Sequence, residues 1–380
     1  MAEWTGDDNN NSHIAPEDEY NVLYGRGGND YLYGGALADR IISGSGNDYL
    51  YGNQGDDFLS GLAADNFDIK YYYGGAGDDW LEAGRGTDNF DGEAGDDTVS
   101  YAWVEGRTPE GVTVNLLTGK GSGGFAEGDT YRRIENVYAS HLDDFLIGNG
   151  GTNYLEGRSG NDRIRGGFGG DILEGGSGID TLDYVDSNAS VIIDLSTGEA
   201  YGGYAEGDTF YNFEDIIGSK YSDTLRGDAN ANRLTGGDGN DNLNGREGAD
   251  VLVAGNGNDR LIGGLGADRF YGGAGADTFV FQTLADSGFA VAERDMIMDF
   301  SRAQGDKIDL TAIDADTQAT GNQAFSFAGT GGFTGINGQI SYTLNAGDAI
   351  VFGDVNGDRR ADFAFRVENV TSLAAGDFVL

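Results

Sequence analysis

A chain of 380 residues with 68 glycines but only 2 prolines is not collagenous. Its formal net charge of −41, with 23 Lys and Arg, excludes a nucleic-acid partner, because phosphate binding calls for basic side chains. No cysteine is present, so neither a disulfide framework nor a thiol nucleophile exists.

Residues 1–24 are rich in Asn and Asp and end in YNVLYG, which predicts an N-terminal cap with His13 in a surface loop. The opening MAEWTGDDNNNS has neither the basic nor the apolar region of a conventional signal peptide. No stretch approaches the roughly 18 apolar residues of a transmembrane helix.

From Gly25 to Ser100 the chain repeats every nine residues as Gly-Gly-x-Gly-x-Asp-x-U-x, where U is large and apolar. The position-six aspartates of this first array, 25–100, are Asp30, Asp39, Asp48, Asp57, Asp79, Asp88 and Asp97. The residues two later, Leu32, Ile41, Leu50, Leu59, Leu81, Phe90 and Val99, are predicted to face inward. One unit, GLAADNFDIKYYY at 61–73, is four residues too long. Counting in nines puts Asn66 at its sixth position and Asp68 at its apolar position, which predicts a bulge or a lost metal site. The unit at Gly34 also departs, with Leu37 and Ala38 in place of Gly-x.

Residues 101–138 break the period, and VTVNLLTG reads as a strand by its alternation. A second array spans 139–183 with Asp144, Asn153, Asp162, Asp171 and Asp180. His141 in its first turn has no second histidine nearby and is read as a turn residue, not a zinc ligand. A second insert, 184–217, carries VIIDLSTG, and its YAEGDTFYNFEDI matches FAEGDTYRRIENV at a constant offset of 79 residues. The inserts are therefore copies in an internal duplication, expected to be hairpins forming a second layer. The third array, 218–281, carries Asp223, Asn232, Asp241, Asp250, Asp259, Asp268 and Asp277.

The nonapeptides stop at Gln282, and alternation in 282–380 predicts a closing antiparallel sheet. Within it, GDVNGDRRADF offers Asp354, Asn356, Asp358 and Asp362, spaced like part of a calcium loop. Arg359 and Phe365 stand where such a loop has Gly and Glu, so a metal site and a tight polar hairpin are both open readings.

The physics of one unit leads to a cation. Glycine permits the positive φ of a tight turn. The x-U-x triplet is a short strand with its middle side chain inward. Two units make one coil, so units eighteen residues apart stack and their aspartates lie one above another. Stacked rows of carboxylates repel unless a hard cation lies between them, and carboxylate plus turn carbonyls is the oxygen set Ca²⁺ prefers. The expected fold is all-β, a parallel β-roll in three arrays with inserted hairpins and an antiparallel C-terminal cap. About a dozen calcium ions are expected along it. Asp259 lies between Asp241 and Asp277, whereas Asp97 has Asp79 beneath it and no nonapeptide in register above.

The repeats resemble those of the RTX (repeats-in-toxin, hemolysin-type calcium-binding) family. Twenty units keep register and seventeen carry Asp at position six. Residues 282–380 resemble a serralysin-type C-terminal domain through DMIMDF, GDKIDL, GDVNGDRRADF and the terminal DFVL. The resemblance implies export from a Gram-negative bacterium through the type I secretion machinery, directed by the C-terminus, with folding driven by extracellular calcium. The family's proteases carry HExxH, which is absent here, as is the lipase pattern G-x-S-x-G. With no catalytic constellation and no room for a catalytic domain ahead of the repeats, the chain is expected not to be an enzyme. The expected function is a secreted calcium-binding protein with a structural, adhesive or surface role. The alternative is a calcium-binding secretion module of a larger extracellular hydrolase or toxin. A glycan or protein partner is expected at a Tyr31/Tyr49/Trp80 face, unless the cap or residues 61–73 cover those rings, and self-assembly is open.

Overall fold

The computed structural model describes residues 1–61, 67–102 and 110–380. Asn66 and part of the overlong unit lie outside the described residues. The chain divides into two compact units, one of Met1–Asp183 with Glu206–Phe213 and one of Tyr184–Ala205 with Glu214–Leu380.

The nine-residue period builds the first unit as two parallel sheets. Tyr31–Tyr33, Asp48–Gln54, Lys70–Ala76, Asn89–Ala94 and Thr130–Arg132 stack in one. Arg40–Ile42, Phe58–Ser60, Trp80–Glu82 and Thr98–Ser100 lie within the ten strands of the other. Eighteen residues separate register partners such as Leu32 and Leu50, or Ile41 and Leu59, as the two-unit coil requires. The inward residues named above are all buried. Each strand contributes one apolar side chain to the core, so the core is a ribbon one residue wide per sheet. So narrow a core contributes little per ordered residue, and the turns must contribute the rest.

Three expectations are corrected. The N-terminal segment is itself a coil: Ala2–Thr5 pairs with Asn21–Tyr24, and Ser12–Ile14 with Tyr31–Tyr33. His13 is therefore a strand residue, stacked on Trp4 with ring centroids 4.4 Å apart. In the overlong unit, Tyr72 pairs with Leu50 and is fully buried, so Lys70 and not Asn66 stands at position six. The inserts do not form a second layer. Thr113–Asn115 turns back on Lys120–Ser122 as a hairpin but stacks in parallel on Phe145–Ile147, and Asn136–Tyr138 continues the sheet above Thr98–Ser100. The second copy behaves alike 79 residues on: Ile192–Asp194 pairs with Glu199–Tyr201 and Thr224–Arg226 in the second unit, and Thr209–Tyr211 pairs with Ile172–Glu174 in the first.

In the second unit the third array stacks in two sheets. One runs through Asn242–Glu247, Arg260–Leu265, Thr278–Val280, Lys307–Asp309 and Phe378–Val379. The other runs through Arg233–Asp238, Val251–Asn256, Arg269–Ala274 and Met296–Ile297. The expected antiparallel sheet closes it, with Phe363–Val367 beside Met296–Ile297 and then Asp348–Asp354 and Gln339–Asn345. Phe281 stacks on Phe365 with centroids 4.4 Å apart, tying the last repeat to this sheet.

Candidate metal centre

The position-six aspartates form ladders. Oδ1 of each accepts the backbone N–H of the position-six residue one coil earlier. Asp223 donates to Asp241 at 2.8 Å, Asp241 to Asp259 at 2.7 Å and Asp259 to Asp277 at 3.0 Å. Asn232 donates to Asp250 and Asp250 to Asp268, both at 2.8 Å. The same pattern joins Asp30 to Asp48, Asp57 to Asp79, Asp79 to Asp97, Asp144 to Asp162 and Asp162 to Asp180. One oxygen of each carboxylate is thus committed to the fold.

The second oxygen divides the turns into two kinds. Where positions two and four both have positive φ, the turn is open. Gly237 at +113° and Gly239 at +117° ahead of Asp241 are one case. The turns of Asp30, Asp48, Asp57, Asp79, Asp97, Asp162, Asp171, Asp180, Asp250, Asp259, Asp268 and Asp277 share this geometry. In open turns Oδ2 is buried with no hydrogen-bond donor at Asp30, Asp57, Asp79, Asp97, Asp162, Asp171, Asp241, Asp250, Asp259, Asp268 and Asp277. Position-one glycine borders this oxygen. A Cβ on Gly236 would collide with Asp241 Oδ2 and approach the Ala254 carbonyl of the next coil.

The other turns are closed, and the position-two amide donates to the position-six side chain. Ser140 N–H reaches Asp144 Oδ2 at 2.8 Å, Gly84 N–H reaches Asp88 Oδ2 at 2.8 Å, Ser219 N–H reaches Asp223 Oδ2 at 2.5 Å, and Gly35 N–H reaches Asp39. The asparagine turns are closed too. Asn149 N–H donates to Asn153 Oδ1 at 2.8 Å, while Asn153 Nδ2 donates to the Glu135 carbonyl at 2.7 Å. Asn232 repeats this with Asp228 and Glu214. The amide nitrogen supplies internally the donor that a carboxylate lacks.

Burial raises the open-turn carboxyls above their ordinary range, to about 8 at Asp57 and Asp162 and about 7 at Asp97, Asp171, Asp241, Asp250 and Asp268. An anion buried beside carbonyl oxygens, with no donor, is costly unless a cation joins it. The set is all oxygen and all hard, which fits Ca²⁺ and not a soft-metal ion. Among the described residues no three His, Asp or Glu side chains converge, so carbonyls must complete any coordination sphere.

Sequence reasoning missed ladder members outside the nonapeptides. Asp88 donates to Asp129 Oδ1 at 2.7 Å, Asp171 to Asp208 at 2.9 Å, Asp268 to Asp295 at 3.0 Å and Asp277 to Asp306 at 3.1 Å. Each opens an Asp-x-U triplet without the glycines at positions two and four, which was the available signal. Asp97 is also not the end of its row, since its N–H donates to Glu135 Oε2 at 3.0 Å. His141 lies half-buried in its turn. In the Asp354–Asp362 stretch, Asp354 accepts Gly357 and Arg359 amides and Asp362 accepts Val355, within the turn that joins Asp348–Asp354 to Phe363–Val367.

The aromatic face is corrected. Tyr31, Tyr49 and Tyr71 stack at 4.6 and 4.4 Å on one sheet, whereas Trp80 lies on the other sheet against Tyr138 at 4.8 Å. Tyr31 remains 41% exposed, so the N-terminal coil does not cover the ladder.

Residues 18–39, 33–68, 71–101, 147–182, 217–252 and 244–279 match the family described as RTX calcium-binding nonapeptide repeat (4 copies). The chain thus carries RTX repeats in a β-roll, and calcium is their ligand. It is similar to the solution structure of the AlgE6R2 subunit from the Azotobacter vinelandii mannuronan C5-epimerase at 24% identity, over 41% of this chain and 91% of that one, with a TM-score of 0.30. For the AlgE6R3 subunit of the same enzyme the figures are 28%, 43%, 80% and 0.21. For the extracellular lipase LipA from Serratia marcescens they are 20%, 64%, 39% and 0.19. No curated protein matches the chain.

Proposed function

We propose that this calcium-binding β-roll is a secreted protein with a structural, adhesive or surface role, folding on Ca²⁺ after type I export from a Gram-negative cell. The observation that carries the calcium step is the row of buried Oδ2 atoms without donors in the open turns. Of the aspartates singled out by spacing, those in open turns would hold Ca²⁺ through Oδ2 and turn carbonyls. Asp39, Asp88, Asp144 and Asp223, whose carboxylates are closed by amides, would contribute little. Bound calcium would offset the repulsion within each row, and its binding free energy becomes folding free energy. That coupling suits passage through a channel as an unfolded chain and folding outside, where calcium reaches the millimolar range of extracellular modules. Among the described residues no helix is long and apolar enough to cross a membrane.

No catalytic role is proposed, because the aspartates are engaged in turns and ladders. A partner is proposed at the Tyr31–Tyr49–Tyr71 ladder. Its rings cover one another's faces, so they offer edges and hydroxyls beside Asn29 and Asn47, a hydrogen-bonding surface suited to a polar glycan or protein.

The test is far-UV circular dichroism in chelator and then in millimolar Ca²⁺, with bound calcium counted by equilibrium dialysis. The expected result is a β signal that develops with calcium and about a dozen ions per chain. A complete β signal in chelator, or two or fewer ions, would overturn the reading.

A further inference from the structure

One open turn differs from the rest. Gly44 at φ +86° and Gly46 at +114° give the turn of Asp48 the geometry that leaves Oδ2 without a donor at Asp30, Asp57, Asp79 and Asp97. Yet Asp48 Oδ2 accepts a hydrogen bond from Lys70 Nζ at 2.8 Å. The same ammonium donates to the Gly44 carbonyl at 2.7 Å and to the Gly46 carbonyl. The side chains of Lys70 and Asp48 are 3% and 0% exposed.

We infer that Lys70 is a resident cation: its ammonium occupies the place that Ca²⁺ takes in the other open turns, so the turn 43–48 binds no calcium. This rests on the reading that open turns take Ca²⁺. The chemistry matches, because an ammonium is a compact charge with three donors and no acceptor, and it meets one carboxylate and two carbonyls. The four extra residues of the overlong unit place it there. Lys70 stands at position six of the coil above, so it removes one carboxylate from the row and adds one positive charge. The backbone ladder is not interrupted, since Lys70 N–H still donates to Asp88 Oδ1 at 3.2 Å. The lengthened segment also closes the turn's outer side, with Gly46 N–H on Asp68 Oδ2 at 2.6 Å and Ile69 N–H on Asn47 Oδ1 at 2.8 Å.

Native mass spectrometry of the full chain in calcium counts the ions. Lys70→Asp restores a carboxylate at position six and should bind one more Ca²⁺ than the unsubstituted chain. Lys70→Met supplies neither charge; it should bind the same number, with its folding midpoint shifted about two- to fivefold higher in calcium. A folded Lys70→Asp with an unchanged count overturns the inference. If Lys70→Asp does not fold, Lys70→Met decides, and an unchanged midpoint overturns it equally. An unsubstituted chain that binds no calcium sinks the calcium reading itself, whereas one that binds calcium while the variants fail these expectations sinks only the role of Lys70.

Discussion

The two edges of the first array share one backbone plan and solve the problem of stacked carboxylates differently. Along one edge run Asp39, Asp57, Asp79, Asp97 and Glu135; the Oδ2 atoms of Asp57, Asp79 and Asp97 meet no donor. Along the other run Asp30, Asp48, Lys70, Asp88 and Asp129. Above Asp30 every carboxylate there is met from within the chain: Lys70 holds Asp48, the Gly84 amide holds Asp88, and the Tyr101 hydroxyl donates to Asp129 at 2.6 Å. On the proposed reading, metal dependence is not a property of the solenoid as such. It is decided turn by turn, by whether positions two and four take positive φ and whether the chain supplies a donor of its own.

The largest effect that would break this contrast is pH without metal. Burial raises Asp57 and Asp162 from 3.8 to about 8, and Asp97 and Asp241 to about 7. A group raised on folding stabilises the fold while protonated, so the contribution is complete below about pH 4 and lost as pH rises through about 6–8. In chelator, β content should rise on acidification and vanish toward pH 8. With calcium the trend reverses, because the ion needs the ionised carboxylate and its affinity climbs across the same window. Circular dichroism along both titrations checks this; identical profiles would refute it.

Next in size is Asp48→Ala. It strands a buried ammonium and should cost about 3–5 kcal/mol, a loss that persists in saturating calcium. Asp57→Asn on the opposite edge, which keeps the Oδ1 acceptor for the Asp39 amide and removes the charge, should cost stability in calcium and little in chelator. Denaturant melts with and without calcium separate the two. Asp259→Ala and Asp97→Ala sharpen the comparison further. Sequence alone makes Asp97 the weaker partner, but Glu135 stands above it, so each variant should lose a similar amount of bound calcium, about one or two ions. The smallest effect is Tyr49→Ala, which removes the middle ring of a half-exposed ladder. It should cost about 0.5–1.5 kcal/mol beyond the area lost and leave the calcium count unchanged.

Much of this was legible in the sequence. Strict spacing of Gly, Asp and U gave the sheets, the inward residues and the register of Asp241 on Asp259. Counting in nines misplaced the overlong unit, because the fold aligns it from Tyr72 backwards and the extra residues are absorbed before Lys70. Trp80 was also misassigned. Phe58, its register partner, lies three units from Tyr31, an odd number, which puts it on the other side of the coil. The closed turns had a partial signal in Leu37, Leu142 and Tyr221, which replace the position-four glycine. The ladder residues Asp129, Asp208, Asp295 and Asp306 had only the bare Asp-x-U triplet, too common to single out. The role of Lys70 had no local signal, since it depends on carbonyls more than twenty residues away.

The carboxylate ladder also has a direction. The buried amide at position six is satisfied by the side chain of the coil that follows it in sequence, as Asp241 is by Asp259 and Asp277 is by Asp306. The exposed amide at position five is satisfied by the coil before it, as Asn258 is by Asn240 and Asp78 is by Asp56. The acceptor of the buried amide thus comes from the C-terminal side, that of the exposed amide from the N-terminal side. Cutting the roll from its N-terminal end leaves carboxylate oxygens facing water, which hydrates them readily. Cutting it from the C-terminal end leaves a buried amide with no acceptor, a costlier defect. The two ends of the roll are thus unequal: water can satisfy what the ladders leave open at the N-terminal end, while the C-terminal end needs the chain to supply an acceptor for its last buried amide.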